Sequence, residues 1–284
     1  MKKKTVSIMV AATMALSLFV GCGSSKDTAT EDTSKTESTE TTDESSENAS
    51  AETTDESSRT TFTVGFDAEY PPYGYMDDDG EYTGFDLELA QAVCDKEGWE
   101  LVKKPINWDS KDMELNSGSI DCIWNGFTMN GREDEYTFSV PYVDNSQVIV
   151  VAEDSGIEQL SDLAGKTVGV QAASAALDLL QSEDEGGQKA LADTFGSLNE
   201  FADYNTAFTE LQAGALDALA IDVGVAKYQL NSRGEGFKIL DETLNTEQYA
   251  IGFKKGNQEL CDIVNKDLQE LANEGKVAEL AEKY

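Results

Sequence analysis

The sequence contains no histidine, which removes the residue on which many catalytic and metal-binding arrangements depend. A Ser-His-Asp triad, a Cys-His dyad and any histidine-ligated zinc site are therefore excluded. Basic residues are scarce too, because 21 Lys plus Arg stand against 55 Asp plus Glu and the net charge is -34. A chain of this charge is unsuited to binding nucleic acid phosphates, so we expect no nucleic acid partner. A glycine-rich phosphate loop is also missing, which argues against ATP hydrolysis by this chain.

The first 21 residues have the composition of an export signal. Three lysines precede an apolar run at 5–20, which is too short to span a membrane comfortably. The end of this run, LFVGC at 18–22, resembles the lipobox of bacterial lipoproteins, although Phe19 stands where leucine is usual. We therefore predict a signal peptide at 1–21 and thioether-linked acyl chains on Cys22. An uncleaved anchor and a plain secreted protein are the alternatives.

Residues 22–60 form an acidic segment rich in Ser and Thr, without a single aromatic or branched aliphatic residue after Cys22. Such a segment can bury nothing that would offset its chain entropy, so we predict a disordered tether. Three cysteines follow in the rest of the chain, Cys94, Cys122 and Cys261, at positions with apolar periodicity. Their spacing resembles no metal or redox motif, and it favours buried free thiols over a disulfide. We therefore expect neither a metal nor a cofactor.

Beyond the tether, the pattern alternates strands and helices. Phe62, Val64 and Phe66 alternate as a strand, and 86–97 has the periodicity of a helix that Gly98 ends. The same order recurs, with strands predicted at 120–124, 147–152, 167–170, 216–221 and 249–253 and helices at 205–213 and 257–273. This order predicts an α/β fold with mostly parallel sheets.

One segment of the module occurs twice. LNSGSIDCI at 115–123 is echoed by LQAGALDAL at 211–219, and both have the pattern of a helix end, a glycine cap and a strand. Two similar α/β lobes, each with its own sheet, would explain the echo, and coincidence is the alternative. Each echoed strand would then end at the binding edge of its lobe.

Residues of opposite charge follow the two echoed strands. The first strand leads to Arg132 and the second to Asp222. An arginine placed shortly after Gly126 and Thr128 can offer a bidentate clamp for a carboxylate, with the glycine allowing close approach and the hydroxyl donating. A surface ion pair with Glu133 or Asp134 is the alternative.

Several further segments matter through their order and spacing. They are VGFDAEYPPY at 64–73, Gly84-Phe85-Asp86, GFTMNGR at 126–132 followed by Phe138-Ser139 and Pro141-Tyr142, GKTVGV at 165–170, and DALAID at 217–222. Together they resemble the type II periplasmic binding proteins of polar amino acid ABC transporters, which form family 3 of the bacterial extracellular solute-binding proteins. The resemblance covers nearly all of 62–284.

The resemblance implies two Rossmann-like α/β lobes joined by two hinge strands, near 146–150 and 247–252. Lobe 1 would comprise 61–146 and 251–284, and lobe 2 would comprise 147–250. The lobes would close over an L-amino acid. The resemblance also implies that the ligand is bound by Arg132, Thr128 and Gly126 at its α-carboxylate, by Asp222 at its α-ammonium, by Tyr70 and Trp108 around its side chain, and by Asp67 and Asn125 at its polar end.

Two departures affect this assignment. The segment from Gly126 to Arg132 is one residue shorter than the usual Gly-x-Thr-x-x-x-x-Arg, so the arginine would reach from a shifted backbone. Many members have Gly-Thr after the Val-Gly-Val strand, where this chain has Ala173-Ser174-Ala175. Ser174 is therefore the predicted donor from lobe 2.

We therefore expect a monomeric, non-enzymatic binding protein, lipid-anchored at the extracellular face of the cytoplasmic membrane. It would deliver its ligand to an ABC permease with a cytoplasmic ATPase. The acidic charge favours polar or basic amino acids over acidic ones. A dehydratase-type enzyme on the same fold and a surface adhesin are the alternatives.

Overall fold

The computed structural model describes residues Ser58–Tyr284. The predicted signal peptide, the predicted lipid anchor on Cys22 and all but the last three residues of the predicted tether lie outside the described residues. The described residues belong to one unit of the chain, Thr53–Tyr284.

This part of the chain forms β-strands and α-helices in alternation. The strands are β1 (Thr61–Phe66), β2 (Glu69–Tyr70), β3 (Gly74–Met76), β4 (Tyr82–Thr83), β5 (Glu100–Pro105), β6 (Cys122–Ile123), β7 (Tyr136–Phe138), β8 (Val143–Ala152), β9 (Thr167–Gln171), β10 (Ser197–Phe201), β11 (Ala218–Asp222), β12 (Phe237–Ile239), β13 (Asn245–Tyr249) and β14 (Gly252–Lys254). The helices are α1 (Phe85–Glu97), α2 (Lys111–Ser117), α3 (Ala175–Gln181), α4 (Lys189–Ala192), α5 (Tyr204–Gln212), α6 (Val223–Arg233), α7 (Gln258–Asn273) and α8 (Lys276–Lys283).

The first large sheet has the strand order β5-β1-β6-β14-β7, and with the helices packed on it forms lobe 1. The alternating residues Phe62, Val64 and Phe66 pack on one face in a core shared with α1 and α7. On the other face, Leu115 of α2 packs in a second core with Ile123. Both faces are therefore covered, as expected for an α/β lobe.

The second large sheet has the order β10-β9-β11-β8-β12, with β13 also paired to β8, and forms lobe 2. Successive residues of β8 alternate between two cores. Ile149 and Val151 pack with Leu177 of α3, while Val150 packs in the core that contains Phe208 of α5. Two α/β lobes with separate sheets confirm the predicted fold class.

Both sheets are mixed, so the prediction of mostly parallel sheets is wrong. β1 is parallel to β5 and β6, and β9 is parallel to β10 and β11, but β8 and β14 are antiparallel to all their neighbours. The residue pattern marks a strand without giving its direction. β8 and β14 enter their sheets directly from the segments that pass between the lobes, with no preceding helix to reverse the chain.

The single strand predicted at 249–253 is also wrong. It divides into the end of β13, which pairs with β8 in lobe 2, and β14, which pairs with β6 and β7 in lobe 1. The apolar run is continuous because both lobes bury it. β8 and β13 are the paired crossover strands, with Val143 opposite Tyr249 and Gln147 opposite Asn245. The lobe boundaries and the hinge remain predictions.

The internal repeat has the same local structure in both lobes. Gly118 and Gly214 follow their helices with positive φ values of 76° and 74°. The aspartate of each copy then accepts a hydrogen bond from the backbone of the neighbouring parallel strand, Asp121 from Thr63 N of β1 at 2.7 Å and Asp217 from Thr167 N of β9 at 2.8 Å. The repeat therefore reflects two lobes built alike.

The cysteines of the described part, Cys94, Cys122 and Cys261, are free and buried, which confirms the prediction of buried thiols over a disulfide. Burial raises the pKa of the Cys122 thiol well above its usual value, so it stays protonated and weakly reactive. Between Ser58 and Tyr284, no helix combines the length and apolar character needed to cross a membrane.

Candidate functional site

The two lobes touch directly where the predicted ligand-binding residues lie. Asp67 Oδ2 of lobe 1 accepts a hydrogen bond from Gln171 Nε2 of lobe 2 at 2.7 Å. Lys111 Nζ of lobe 1 donates to the Ala173 carbonyl of lobe 2 at 3.1 Å. These contacts define a closed cleft between the ends of the parallel strands, which is the position where ligands bind in open α/β sheets.

Arg132 crosses this cleft. Its Nη2 lies 2.6 Å from Asp178 Oδ2 of α3, and its guanidinium lies 5.0 Å above the ring of Phe127. The ion pair is thus made with the opposite lobe and not with Glu133 beside it in sequence. The Arg132 side chain is only 11% exposed, whereas that of Asp178 is 60% exposed. Arg132 is therefore a held, largely desolvated cation whose partner can move away into water.

The shortened loop before Arg132 closes as a turn. The Arg132 N–H donates to the Met129 carbonyl at 3.0 Å, and Gly131 has the positive φ of 81° that this turn requires. The Asn130 side chain accepts a hydrogen bond from Gln248 N at 2.7 Å, which ties the turn to β13. The shorter loop therefore still places Arg132 in the cleft.

Backbone conformation and lack of space both require glycine at position 126. Its φ is 55°, and a Cβ at this position would lie 3.0 Å from ring atoms of Tyr70 and Tyr249. Its N–H donates to Asp86 Oδ2 at 2.6 Å. Burial raises the pKa of Asp86 to about 7. Asp86, which had no predicted role, thus holds the loop that carries Gly126 and Thr128.

Two buried carboxylates lie at the end of the cleft formed by the crossover strands. Asp222 and Glu247 accept hydrogen bonds from the same two side-chain amides, those of Asn145 and Gln147, at 2.6–2.8 Å. Glu247 also accepts from the Thr128 hydroxyl at 2.7 Å. Sequence reasoning predicted Asp222 and Thr128 as ligand residues and missed Glu247, because nothing in β13 marks one acid among so many.

The predicted aromatic residues occupy different parts of the cleft. The ring centroid of Tyr70 lies 6.0 Å from that of Tyr204 in lobe 2, and its hydroxyl lies 3.5 Å from the Tyr249 hydroxyl. Trp108 packs edge-on against Phe127, with ring centroids 5.8 Å apart. A sandwich of the ligand side chain between Tyr70 and Trp108 remains a prediction.

Asp67 and Asn125 are adjacent, and a contact of either one with the ligand remains a prediction. The Asp67 N–H donates to Asn125 Oδ1 at 3.0 Å, and burial raises the pKa of Asp67 to about 6. Asp67 and Trp108 line a cavity of about 500 Å³ at one side of the cleft. A second cavity of about 350 Å³ lies at the other side and is lined by Thr128, Arg132, Asp178 and Glu247 among others.

Ser174 lies buried at the start of α3. Its Oγ accepts a hydrogen bond from Leu177 N at 3.2 Å and so caps the helix. Ala173 before it has a positive φ of 55°, which is uncommon for a residue with a side chain. Lys111, bonded to the Ala173 carbonyl, holds this strained residue from across the cleft. A ligand contact by Ser174 remains a prediction.

Apart from Asp86, which lies in the Gly84-Phe85-Asp86 segment of the family resemblance, the cleft residues that sequence reasoning missed have no local signal. They come from separate segments and meet only through tertiary contacts: Asp86, Lys111, Asn145, Gln147, Gln171, Asp178, Glu247 and Tyr249. In the described part of the chain, no group of three or more Cys, Asp or Glu residues is arranged to hold a metal ion.

The buried acids predict a pH dependence of stability. The pKa values of Asp67, Asp86 and Glu247 are raised to about 6, 7 and 7, so between pH 4 and 7 the folded state binds more protons than the unfolded one. Stability is then fully present at low pH and is lost as pH rises through 6 to 7. We expect the melting temperature of the ligand-free protein to fall from pH 5 to pH 8, at about 2–4 °C per kcal/mol lost.

Differential scanning fluorimetry between pH 5 and 8 measures this slope. Asp86→Asn should flatten it, because the amide cannot ionise, while Asp95→Asn on the exposed side of α1 should leave it unchanged. A melting temperature that rises with pH over this range would contradict the expectation.

A sheet-edge cleft with opposite charges on its two lobes is typical of a solute-binding protein. The chain matches the family model of the bacterial extracellular solute-binding proteins, family 3, over residues 62–284, and it belongs to that family. This confirms the resemblance and indicates an extracytoplasmic location.

Similar proteins include binders of several amino acids. The L-cystine-binding protein TcyJ of Escherichia coli (strain K12) is 29% identical over 80% of this chain and 83% of its own. The arginine-binding extracellular protein ArtP of Bacillus subtilis (strain 168) is 33% identical over 78% of this chain and 84% of its own. An ABC uptake transporter substrate-binding protein from Streptococcus pneumoniae, solved with bound histidine, superimposes with a TM-score of 0.74 and 34% identity, covering 79% of this chain and 92% of that one.

Proposed function

We propose that this protein is the substrate-binding lipoprotein of an ABC importer, and that it binds a polar or basic L-amino acid between its lobes. In this proposal it is a monomer that carries no cofactor and does no chemistry on its ligand. It passes the amino acid to a membrane permease driven by a cytoplasmic ATPase. Acyl chains on Cys22 hold it at the extracellular face of the cytoplasmic membrane.

The observation that carries the proposal is the placement of opposite charges on opposite lobes. Arg132 is a guanidinium from lobe 1, and Asp222 is a carboxylate at the end of β11 in lobe 2. An α-amino acid is a zwitterion whose two charges lie only a few Å apart. It satisfies both residues at once only when the lobes are closed, so the ligand itself stabilises closure.

The free energy of the expected hydrogen bonds to the ligand is sufficient for this closure. A hydrogen bond to a charged group contributes about 1.5–3 kcal/mol net. Converting a mostly open population to a mostly closed one needs about 5.5 kcal/mol of differential binding. Three or four such bonds therefore suffice, and β8 and β13 are the proposed hinge.

The lining of the larger cavity supports a polar or basic side chain. This cavity is rich in carboxylates, and its acidic residues are Asp67, Glu69, Asp109, Glu114 and Asp203. Negative side chains favour a cationic or hydrogen-bonding ligand end and oppose an acidic one. The ligands named for the similar proteins, which are cystine, arginine and histidine, agree with this choice.

A thermal-shift screen of the purified protein against the twenty amino acids and cystine tests the proposal, with calorimetry on each hit. We expect stabilisation by a polar or basic L-amino acid, and small-angle scattering should show a more compact particle with that ligand. Stabilisation mainly by glutamate or aspartate would contradict the choice of ligand class. Binding of none of the compounds would overturn the function itself. Turnover of prephenate or arogenate would instead support the dehydratase alternative.

Asp178 is paired with the Arg132 guanidinium, which is the group that a ligand carboxylate would need. Its carboxylate lies 2.6 Å from Arg132 Nη2, so a bound amino acid has to displace it or bind beside a like charge. We expect Asp178→Asn to tighten amino acid binding by about 3- to 10-fold, because an ion pair whose acid is largely exposed contributes about 1 kcal/mol. Calorimetry with the best ligand of the screen measures the change.

Asp193→Asn is the matched control. Asp193 is a similarly exposed aspartate in an ion pair of 2.6 Å, with Lys189, and it lies away from the cleft. It should leave affinity unchanged. Weaker binding by Asp178→Asn would show that Asp178 supports the ligand-bound state and does not compete with the ligand.

A further inference from the structure

Glu247 is a buried carboxylate without an assigned role. It lies on β13, where that strand pairs with β8, and it is only 6% exposed. Its Oε1 accepts three hydrogen bonds, from Thr128 Oγ1 at 2.7 Å, Asn145 Nδ2 at 2.8 Å and Gln147 Nε2 at 2.7 Å. Three donors fix the orientation of the group, so it is held in place for contact with a ligand.

Asp222 is held by the same donors. Its Oδ1 accepts from Asn145 Nδ2 at 2.8 Å and from Gln147 Nε2 at 2.6 Å, and also from the Tyr249 hydroxyl at 2.7 Å. Because each amide nitrogen contacts both acids, the two carboxylates lie close enough for one ammonium group to contact both. The Asp222 and Glu247 carboxylates are therefore linked through the amides of Asn145 and Gln147.

No cation among residues 58–284 forms an ion pair with either acid. Among the residues that the structure describes, no lysine or arginine lies within 4.0 Å of Asp222 or Glu247. Two adjacent buried carboxylates without a counter-ion cannot both stay ionised easily. Burial and the charge of Asp222 accordingly raise the pKa of Glu247 to about 7. Glu247 in the ligand-free protein is therefore partly protonated near neutral pH.

The surroundings of Glu247 supply few other charges. Arg132 lines the same cavity, paired with Asp178. The remaining titratable groups that face Glu247 or this cavity are the acids Asp184 and Glu185 and the hydroxyls of Tyr73, Tyr204 and Tyr249. The tyrosines are neutral near pH 7, so Asp222 is the group that couples most directly to Glu247.

Glu247 and Arg132 line one cavity of about 350 Å³. An amino acid with its carboxylate on Arg132 would carry its α-ammonium a few Å away, within the cavity that Glu247 also lines. We propose that Glu247 is a second acid of the ammonium site, so that the α-ammonium of the ligand binds between Asp222 and Glu247. The ammonium then displaces the proton that Glu247 holds near neutral pH. The proposal rests on the proposed function and adds to it a proton released to solvent for each amino acid bound.

The proton exchange fixes the direction of the pH dependence. Above pH 7 Glu247 is mostly ionised and receives the ammonium directly. Below pH 7 a proton must leave first, so affinity falls by up to about 10-fold per pH unit. We expect wild-type affinity for L-arginine to be about 10-fold weaker at pH 6 than at pH 8. L-arginine is the first probe and L-glutamine the second, because neither side chain titrates in this range.

Glu247→Gln separates the proposed role from a purely structural one. The substitution keeps the shape and removes the charge and the titration. Calorimetry in two buffers of different ionisation enthalpy should show close to one proton released by the wild type at pH 6 and none by the variant. The variant should bind about 10-fold more weakly than the wild type at pH 8 and about equally at pH 6. Glu247→Asp should retain proton release.

Glu242→Gln, an exposed acid of the same lobe, should behave as the wild type. A wild type that binds with the same affinity at pH 6 and pH 8, or a Glu247→Gln variant that still releases the proton, would overturn the inference while leaving the proposed function in place. A wild type that binds no amino acid at either pH would overturn both.

Discussion

Arg132→Ala is expected to weaken amino acid binding by about 100- to 1000-fold while leaving the fold intact. The proposed contact with the ligand carboxylate is bidentate and charge-assisted in a desolvated cleft, and its loss would correspond to roughly 3–4 kcal/mol. The fold should survive because the partner of Arg132, Asp178, is largely exposed and returns to water. Calorimetry with the best ligand of the screen gives the affinity, and thermal unfolding verifies the fold.

Arg233→Ala is a matched control for this variant. Arg233 also stacks on a phenylalanine, 5.2 Å from the Phe208 ring, and donates to Gln229 Oε1 at 2.7 Å. It lies on α6, away from the cleft, so its loss should affect stability without changing affinity. Arg132→Lys adds a second comparison, because lysine keeps the charge and loses the planar fork. Unaltered affinity in Arg132→Ala would count directly against the proposed carboxylate site.

Asp222→Asn is expected to weaken binding by about 30- to 100-fold, which corresponds to the loss of roughly 2–3 kcal/mol between a buried carboxylate and an ammonium. The asparagine oxygen can still accept from Asn145, Gln147 and Tyr249, so the local structure should hold. The variant should also lose most of the preference for the amino acid over its deaminated analogue. Competition between the two ligands measures that preference.

Asp217→Asn tests whether the position matters and not merely the charge. Asp217 lies just before the opposite end of β11 and accepts a hydrogen bond from Thr167 N at 2.8 Å, remote from the cleft. It should affect stability alone. A preference for the amino acid that survives in Asp222→Asn would place the ammonium site elsewhere.

The elements of the fold that sequence predicts best are those with a strong local pattern. The helix α1 begins one residue before its predicted start and ends at Gly98 as expected. The echoed segments predict two similar lobes because a helix end, a glycine with positive φ and a buried strand are each local features. The strand at 249–253 is mispredicted because its apolar run serves two sheets, and burial alone does not show where pairing changes.

The candidate site divides in the same way. Arg132, Gly126 and Asp222 stand out in the chain because an arginine is rare in so acidic a protein and because both strand ends recur. Asp178 and Glu247 do not stand out, since the described part of the chain contains many carboxylates and only a few are buried in the cleft. Asp178 and Glu247 are recognised only by their neighbours in the folded structure, which are Arg132 in the first case and the amides of Asn145 and Gln147 in the second.

The linear order of residues was enough to determine an exported α/β module with two similar lobes and a cation and an acid at matching strand ends, since periodicity, caps and charge are local properties. Only the tertiary structure decided that Asp178 forms an ion pair with Arg132, and that Glu247 and Asp222 accept hydrogen bonds from the same two amides. These groups are separated by 46 residues in the first case and 25 in the second. Burial and distance, which set the pKa of a carboxylate and the partner of an arginine, exist only after the two lobes have packed together.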